Sequence, residues 1–321
     1  MSPPPPCADC LCAGIVVADF VCAPVSHVPE AGGLVMTDAI SLAIGGCASN
    51  VAVDLARLGR KSVVVGCIGS DMPGRFVCEE LAASGVDTTH LVETRGQTSS
   101  TLVVNVSQQD RRFIHAFGAS ALFDGSEVTP ALVRQARVLY LGGFGLMPRL
   151  TGGRVAELFR MAREVQVPTV LDVVVPDAEA CRKELGKVLP WTDVFLPNTD
   201  EGRLLTGIAD PLEQAHHFQN AGAETVVITC GSQGAVLASP GETLRAGIFP
   251  VEFIDGTGSG DAFAAGYISG LIDGCAAERC LEMGSALGAS CVRRAGATTG
   301  VFTRRELSEF LDRHSLPIER L

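Results

Sequence analysis

The feature that most constrains this chain is a repeated alternation of short β-branched runs with amphipathic segments along most of its 321 residues. Strand candidates fall at Leu11–Ala18, Ser62–Gly66, Val138–Gly142, Thr169–Val174, Val194–Leu196 and Thr225–Thr229. Between them lie helix candidates at Ser49–Leu58, Gly74–Ala83, Arg154–Glu164 and Leu212–Ala221. The strand candidates are apolar throughout rather than at every second position, as strands buried on both faces are. Strand–helix alternation of this kind predicts an α/β fold: a central, mostly parallel sheet flanked by helices on both faces. With 47% hydrophobic and 19% charged residues, the chain can fill such a core.

Two stretches break the rhythm. Phe20–Ile44 is long for a connection, and Thr98–His115 reads as two strands around Gln108-Gln109-Asp110. Successive strands without a helix predict a small antiparallel β element, with lid strands at about 20–44 and 98–116. Such an element serves as a lid over a pocket or as a dimer surface; an ordinary edge hairpin fits the same composition.

The opening Met1-Ser-Pro-Pro-Pro-Pro-Cys7 has neither the basic nor the apolar region of a signal peptide. Residues 1–10 are expected to form a disordered Pro/Cys-rich tail, followed by a single α/β domain over 11–315. No apolar run approaches the roughly 20 residues that span a bilayer, so the expectation is a cytoplasmic protein with no membrane partner. In a reducing compartment its 12 cysteines are thiols. Cys7, Cys10 and Cys12 suggest zinc, but no second Cys or His pair completes a site. They read as part of the tail. The net charge of -11 excludes a nucleic-acid partner, which needs clustered Lys and Arg. It does not exclude a phosphate ligand, which backbone amides at one helix end can hold.

Chemistry concentrates in Asp255-Gly-Thr-Gly-Ser-Gly-Asp261, followed by a helical run of small and apolar residues. Glycines at 256, 258 and 260 allow successive N–H groups to turn toward one point, reinforced by the positive end of the following helix. Asp261 stands at the mouth of that anion hole, where a carboxylate caps the helix or accepts a proton. Phosphoryl transfer needs this combination of anchored phosphate and positioned base. An Asp capping a helix after a loose turn gives the same pattern. The glycines do not match the dinucleotide spacing G-x-G-x-x-G, and no G-x-x-x-x-G-K-[ST] occurs.

This segment, with Phe263 and Gly266, resembles the C-terminal signature of the ribokinase (PfkB) family of carbohydrate kinases, with Ser259 in the usual Ala place. Ile44-Gly-Gly-Cys-Ala-Ser-Asn50 is similar to the family's N-terminal G-G-x-x-x-N signature. Asn198-Thr-Asp-Glu201 is similar to its N-x-x-E, Thr229-Cys-Gly231 to its T-x-G, and Gly118-Ala-Ser120 to its G-A-N. The motifs occur in family order.

The resemblance implies a ribokinase-like fold with a small β-sheet lid, and ATP-dependent phosphorylation of a hydroxyl on a sugar or sugar-like polyol. It makes Asp261 the catalytic base, with the amides of Gly258, Ser259 and Gly260 holding the transferred phosphoryl. Asp19, Gly45, Gly46 and Asn50 would contact substrate. Asn198, Thr229 and Gly231 would line the nucleotide site with the Gly258–Gly260 loop. Asn198 and Glu201 would organise Mg²⁺ through water, and Asp255 would mark a site for a monovalent cation such as K⁺. A homodimer through the lid is implied as well.

Three departures bear on substrate. Asp172-Val-Val-Val-Pro176 lacks the Asn and Arg of acid-sugar kinases, Cys47 replaces the Lys of ribokinases, and Ser120 replaces Asn. The first departure weakens an acidic or phosphorylated substrate, and a neutral sugar and a nucleoside both fit. Arg111 and Arg112 near the lid turn read as a solvated pair, and His115, His216 and His217 as structural or surface residues. The departures also fit a catalytically inactive sugar- or nucleoside-binding regulatory protein on the same fold. A nicotinamide-dependent oxidoreductase rests on glycine spacing alone.

Overall fold

A computed structural model describes residues 7–106 and 112–321. Its fourteen strands among those residues are β1 (Ala8–Gly14), β2 (Val17–Val25), β3 (Ala39–Gly45), β4 (Ser62–Gly69), β5 (Asp87–Thr94), β6 (Ser100–Val106), β7 (Arg112–Ala116), β8 (Ala136–Phe144), β9 (Thr169–Val173), β10 (Val194–Phe195), β11 (Thr225–Thr229), β12 (Ala235–Ser239), β13 (Glu242–Ala246) and β14 (Ile318–Arg320). Ten of them form one sheet in the order β14-β13-β12-β11-β10-β9-β8-β1-β4-β5. Pairing is parallel from β11 through β5 and antiparallel at the β12–β14 edge.

Alternation along β1 shows why both faces are apolar. Cys10 and Cys12 enter the core under the Cys47–Arg57, Ser259–Ile272 and Ala277–Cys291 helices, whereas Leu11 and Ala13 enter the core under Gly152–Glu164 and Ala178–Val188. Successive side chains of a strand point to opposite faces, so a doubly covered strand has no polar positions to offer.

This placement corrects the expected tail. Residues 1–6 of that expected tail lie outside the described residues, but β1 begins at Ala8, and Cys10 and Cys12 are buried in the central sheet rather than part of a tail. All 12 cysteines are free thiols. The expected strand at Leu11–Ala18 is two strands in two sheets. Gly14 divides them at φ 138°, where a Cβ would sit 2.1 Å from the Gly142 carbonyl oxygen. A positive φ of this kind is accessible to glycine and strained for other residues.

The second sheet runs β3-β2-β6-β7. It is mixed rather than antiparallel, because β2 pairs parallel with β6. The Gln108–Asp110 turn and Arg111 lie outside the described residues. Register places Asp19, Thr101 and His115 in one cross-strand row, and Phe20, Leu102 and Ile114 in the next. Adjacent rows face opposite sides of a sheet. The first row lines the cleft below; Ile114 on the other is two-thirds exposed.

Candidate active site

The cleft between the small sheet and the main sheet has a volume of about 1130 Å³. At its centre the Ser259–Ile272 helix starts from Gly258, which has φ 76° and could carry no Cβ without meeting the Ala297 carbonyl oxygen at 2.3 Å. That helix is apolar around its circumference and packs against the Ala277–Cys291 helix at Gly266, where a Cβ would lie 2.4 Å from the Met283 carbonyl. A helix buried this way holds its N-terminus rigidly at the cleft floor.

In its first turn the Ser259 N–H donates to the Gly256 carbonyl at 3.2 Å, and the Ala262 N–H to Gly258 at 2.8 Å. The N–H groups of Gly260 and Asp261 are left without an intrahelical acceptor, as first-turn amides are. A Cβ on Gly260 would meet nothing within 4 Å, so its side faces open cleft. Asp255, behind the wall, ties the loop: its carboxylate accepts from the Thr257 N–H (2.9 Å) and O–H (2.7 Å) and from the Gly296 N–H (3.0 Å).

The Cys47–Arg57 helix enters from Gly46, which has φ 89°. From its first turn the Asn50 Nδ2 donates to Asp261 Oδ2 at 2.8 Å. Asn50 is 4% exposed, and its Oδ1 is buried without a partner. Asp19 descends from β2 directly over Gly45, where a Cβ would lie 2.2 Å from its Oδ2. A Cβ on Gly46 would lie 2.6 Å from the Ile15 carbonyl oxygen, and Asp19, Gly46 and Asn50 line the same cleft as Asp261.

Three carboxylates crowd this region, Asp19 buried and Asp172 and Asp261 half-buried. Burial raises Asp261, and hydrogen bonds from the Asn50 amide and the Cys47 thiol pull it back in part. Burial and the Asp261 charge push Asp172 up to about 7. Burial raises Asp19 to about 6, against a hydrogen bond from Thr101. Glu201 is also raised well above its ordinary value, by burial and then by Asp172. Desolvation and like charge each favour the neutral acid.

The nucleotide-side residues meet at the other end. Asn198 caps the Thr199–Thr206 helix, its Oδ1 accepting the N–H groups of Asp200 and Glu201 at 2.9 Å each, while Glu201 Oε2 accepts the Asn198 N–H at 2.9 Å. The Thr199 hydroxyl donates to the Thr229 carbonyl at 3.1 Å, and Asn198 and Thr229 pair as an isolated bridge. Gly231 follows at φ 54°. Asn198, Glu201, Thr229 and Gly231 all line the cleft.

Sequence reasoning missed several lining residues. Asp172 drew attention for the Asn and Arg that do not follow it, yet it faces Asp261 across the Cys47 thiol. Its signal was the C-terminal end of a parallel strand, where α/β sites collect. His115, read as structural or surface, lines the cleft with its Nδ1 3.0 Å from the Thr101 hydroxyl. Ser120 lies outside the lining; its hydroxyl donates to the Val16 carbonyl at 3.2 Å in the core.

A doubly covered α/β sheet with a four-stranded lid sheet over the ends of its strands is the ribokinase-like fold. The chain belongs to the pfkB family of carbohydrate kinases, whose family model matches residues 8–304. It is 29% identical to the ribokinase of Haemophilus influenzae over 309 residues, 93% of this chain and 97% of that protein. It is 28% identical to the 2-dehydro-3-deoxygluconokinase of Bacillus subtilis over 295 residues, 88% and 90% of the two chains. The structure of Arabidopsis thaliana ribokinase complexed with ribose and ATP shares the fold, with a TM-score of 0.82 at 23% identity over 96% of this chain and 99% of that one. No helix among the described residues is long and apolar enough to cross a membrane.

Proposed function

We propose that this carbohydrate kinase transfers the γ-phosphoryl group of Mg²⁺-ATP to a hydroxyl of a neutral sugar or nucleoside, with Asp261 as the base. The observation that carries this reading is the junction of a bare helix N-terminus with a half-buried carboxylate that Asn50 holds at 2.8 Å. Asp261 takes the proton of the acceptor hydroxyl as its oxygen bonds to phosphorus, and the bond from that phosphorus to the β-phosphate oxygen breaks. The amides of Gly260 and Asp261, with the Gly256–Gly258 loop, receive the charge that develops on the equatorial oxygens. Ser259 supports that hole through its turn with Gly256.

On the acceptor side, the Asp19 carboxylate and the unpartnered Asn50 Oδ1 accept hydroxyl donors, with Gly45 and Gly46 admitting the ligand closely. No Lys or Arg occurs among the described lining residues. An acid sugar or a sugar phosphate needs a fixed cation in such a cleft, which favours an uncharged acceptor. On the donor side, Thr229 and Gly231 border the nucleotide, and Asn198 supports it by fixing the start of its helix.

The donor set fits Mg²⁺. Asp172 and Asp261 raise the pKa of Glu201, a repulsion that a hard divalent cation beside Glu201 relieves. When bound there through water, Mg²⁺ supplies charge neutralisation of the transferring phosphate. A monovalent cation near Asp255 rests on family resemblance, and comparing turnover in K⁺ and tetramethylammonium tests it.

ADP release measured over a panel of neutral sugars, nucleosides and acid sugars tests the reading. Turnover with a neutral polyol supports it. Tight binding of a polyol without any ADP release would instead establish a non-catalytic binding protein, as the departures at Cys47 and Asp172 allow.

A further inference from the structure

Among the described lining residues, the Cys47 thiol is the one chemically soft group at the acceptor end of the cleft, and it lies close to two carboxylates. One ligand atom each from Cys47, Asp172 and Asp261 lie within 4.8 Å of one another. Among the described residues no other group of three or more His, Cys, Asp or Glu side chains converges in this way. We propose that Cys47, Asp172 and Asp261 form a second metal site, selective for a thiophilic divalent cation of the Zn²⁺ type and distinct from the hard-cation site beside Glu201.

Geometry supports it first. Ligand atoms on a tetrahedral zinc stand roughly 3.5 Å apart, from metal–sulfur and metal–oxygen bonds of about 2.3 and 2.1 Å. Atoms already within 4.8 Å reach that spacing by small rotations of three side chains. The three residues come from separate rigid elements: the start of the Cys47–Arg57 helix, the C-terminal part of β9, and the first turn of the Ser259–Ile272 helix.

Outer contacts come second. Asn50 Nδ2 orients Asp261, and the Gly143 N–H donates to Asp172 Oδ2 at 3.2 Å. Ligands held in place by hydrogen bonds of this sort bind metals more tightly. Asn50 Oδ1 is buried, lines the cleft and has no partner, which leaves an acceptor for a water in the fourth metal position. Without an acceptor sugar in the cleft, that oxygen is open to a water bound to the metal.

Charge and ligand softness then choose the metal. Two carboxylates and a thiol, each half-buried, in a cleft without a Lys or Arg among its described lining residues concentrate acidic groups with no fixed cation beside them. A thiol selects zinc-like ions over Mg²⁺, which prefers oxygen and water. On binding, the thiol proton leaves to solvent and a metal–sulfur bond takes its place. A cation at this point ties up Asp261, so binding it and phosphorylating an acceptor exclude each other.

Cobalt(II) titrated into the metal-free full-length protein, without substrate, provides the test. The expected result is a near-ultraviolet thiolate-to-cobalt charge-transfer band that saturates at about one cobalt per chain and is erased by stoichiometric Zn²⁺. Cys47→Ser should abolish the band, and Asp172→Asn should weaken cobalt affinity about tenfold or more, each with an unchanged circular dichroism spectrum. Absence of the band in the parent protein, or its persistence in Cys47→Ser, would overturn the site. Because the readout needs no turnover, its failure is separable from failure of the kinase reading.

Discussion

Asn50 and Asp261 are 211 positions apart in sequence, and their side chains meet at 2.8 Å through an amide-to-carboxylate hydrogen bond. The contact joins the first turns of two helices, Cys47–Arg57 and Ser259–Ile272, each entered through a glycine with positive φ. One half of the chain brings the residues over the acceptor, and the other brings the carboxylate and the bare amides. Their junction is where the proposed chemistry occurs.

Replacing Asp261 with Asn should keep fold and ATP binding while removing the proton acceptor. Turnover is expected to fall by roughly 10²–10⁴-fold, the usual contribution of a positioned general base. Steady-state kinetics against the best acceptor, with ATP affinity measured by calorimetry, checks this. Near-normal turnover would reassign the base.

The pH dependence should show the burial of Asp261. A base acts when ionised, and its pKa is raised by burial. The acidic limb of turnover should therefore lie above the ordinary carboxylate range. Asn50→Ala deletes a hydrogen bond that lowers this pKa, so the limb should move to still higher pH. A shift to lower pH, or none, in the kcat–pH profile would contradict the assignment.

Gly45→Ala places a methyl group 2.2 Å from Asp19 Oδ2, too close for any real contact. Asp19 must rotate away, and the acceptor KM should rise by about tenfold or more, the equivalent of one charged hydrogen bond. The KM for ATP should not change. Equal effects on both substrates would show a general disruption instead.

Asp172 carries a folded-state pKa of about 7, raised from 3.8. The folded state therefore prefers the protonated acid, and the stability linked to it is full at low pH and lost as pH rises through about 7. Asn at this position is neutral at every pH. The melting temperature of Asp172→Asn should exceed that of the parent at pH 8 by at least about 2 °C, with a smaller difference at pH 5. A constant difference would refute the linkage.

The outer row of the small sheet exposes Phe20, Leu102 and Ile114, with Ile40 nearby on β3. A second subunit pairing over this face would shelter it. Sedimentation velocity at micromolar concentration should give a dimer, and Ile114→Asp should shift it toward monomer. A monomeric parent protein would exclude pairing through the lid.

The positions of most elements were legible in sequence because period and composition are local properties. The helix candidates at Gly74–Ala83 and Arg154–Glu164 match observed helices at Met72–Ala83 and Gly152–Glu164. The Leu11–Ala18 run misled because an apolar stretch does not reveal that Gly14 turns the chain from one sheet into another. Cys10 and Cys12 misled for a related reason: next to prolines they resemble a tail, and only pairing with β4 and β8 buries them.

By itself, the sequence determined the α/β alternation, the glycine-rich helix start and the set of polar residues at its motifs, since each depends on neighbours along the chain. The tertiary structure decided which of these meet. Asp172 and Cys47 acquire a role because β9 ends opposite the starts of two helices distant in sequence, and Gly45 has no room for a side chain while Asp19 lies over it. Burial and proximity raise the pKa of Asp19, Asp172, Glu201 and Asp261, and neither is a property of local sequence.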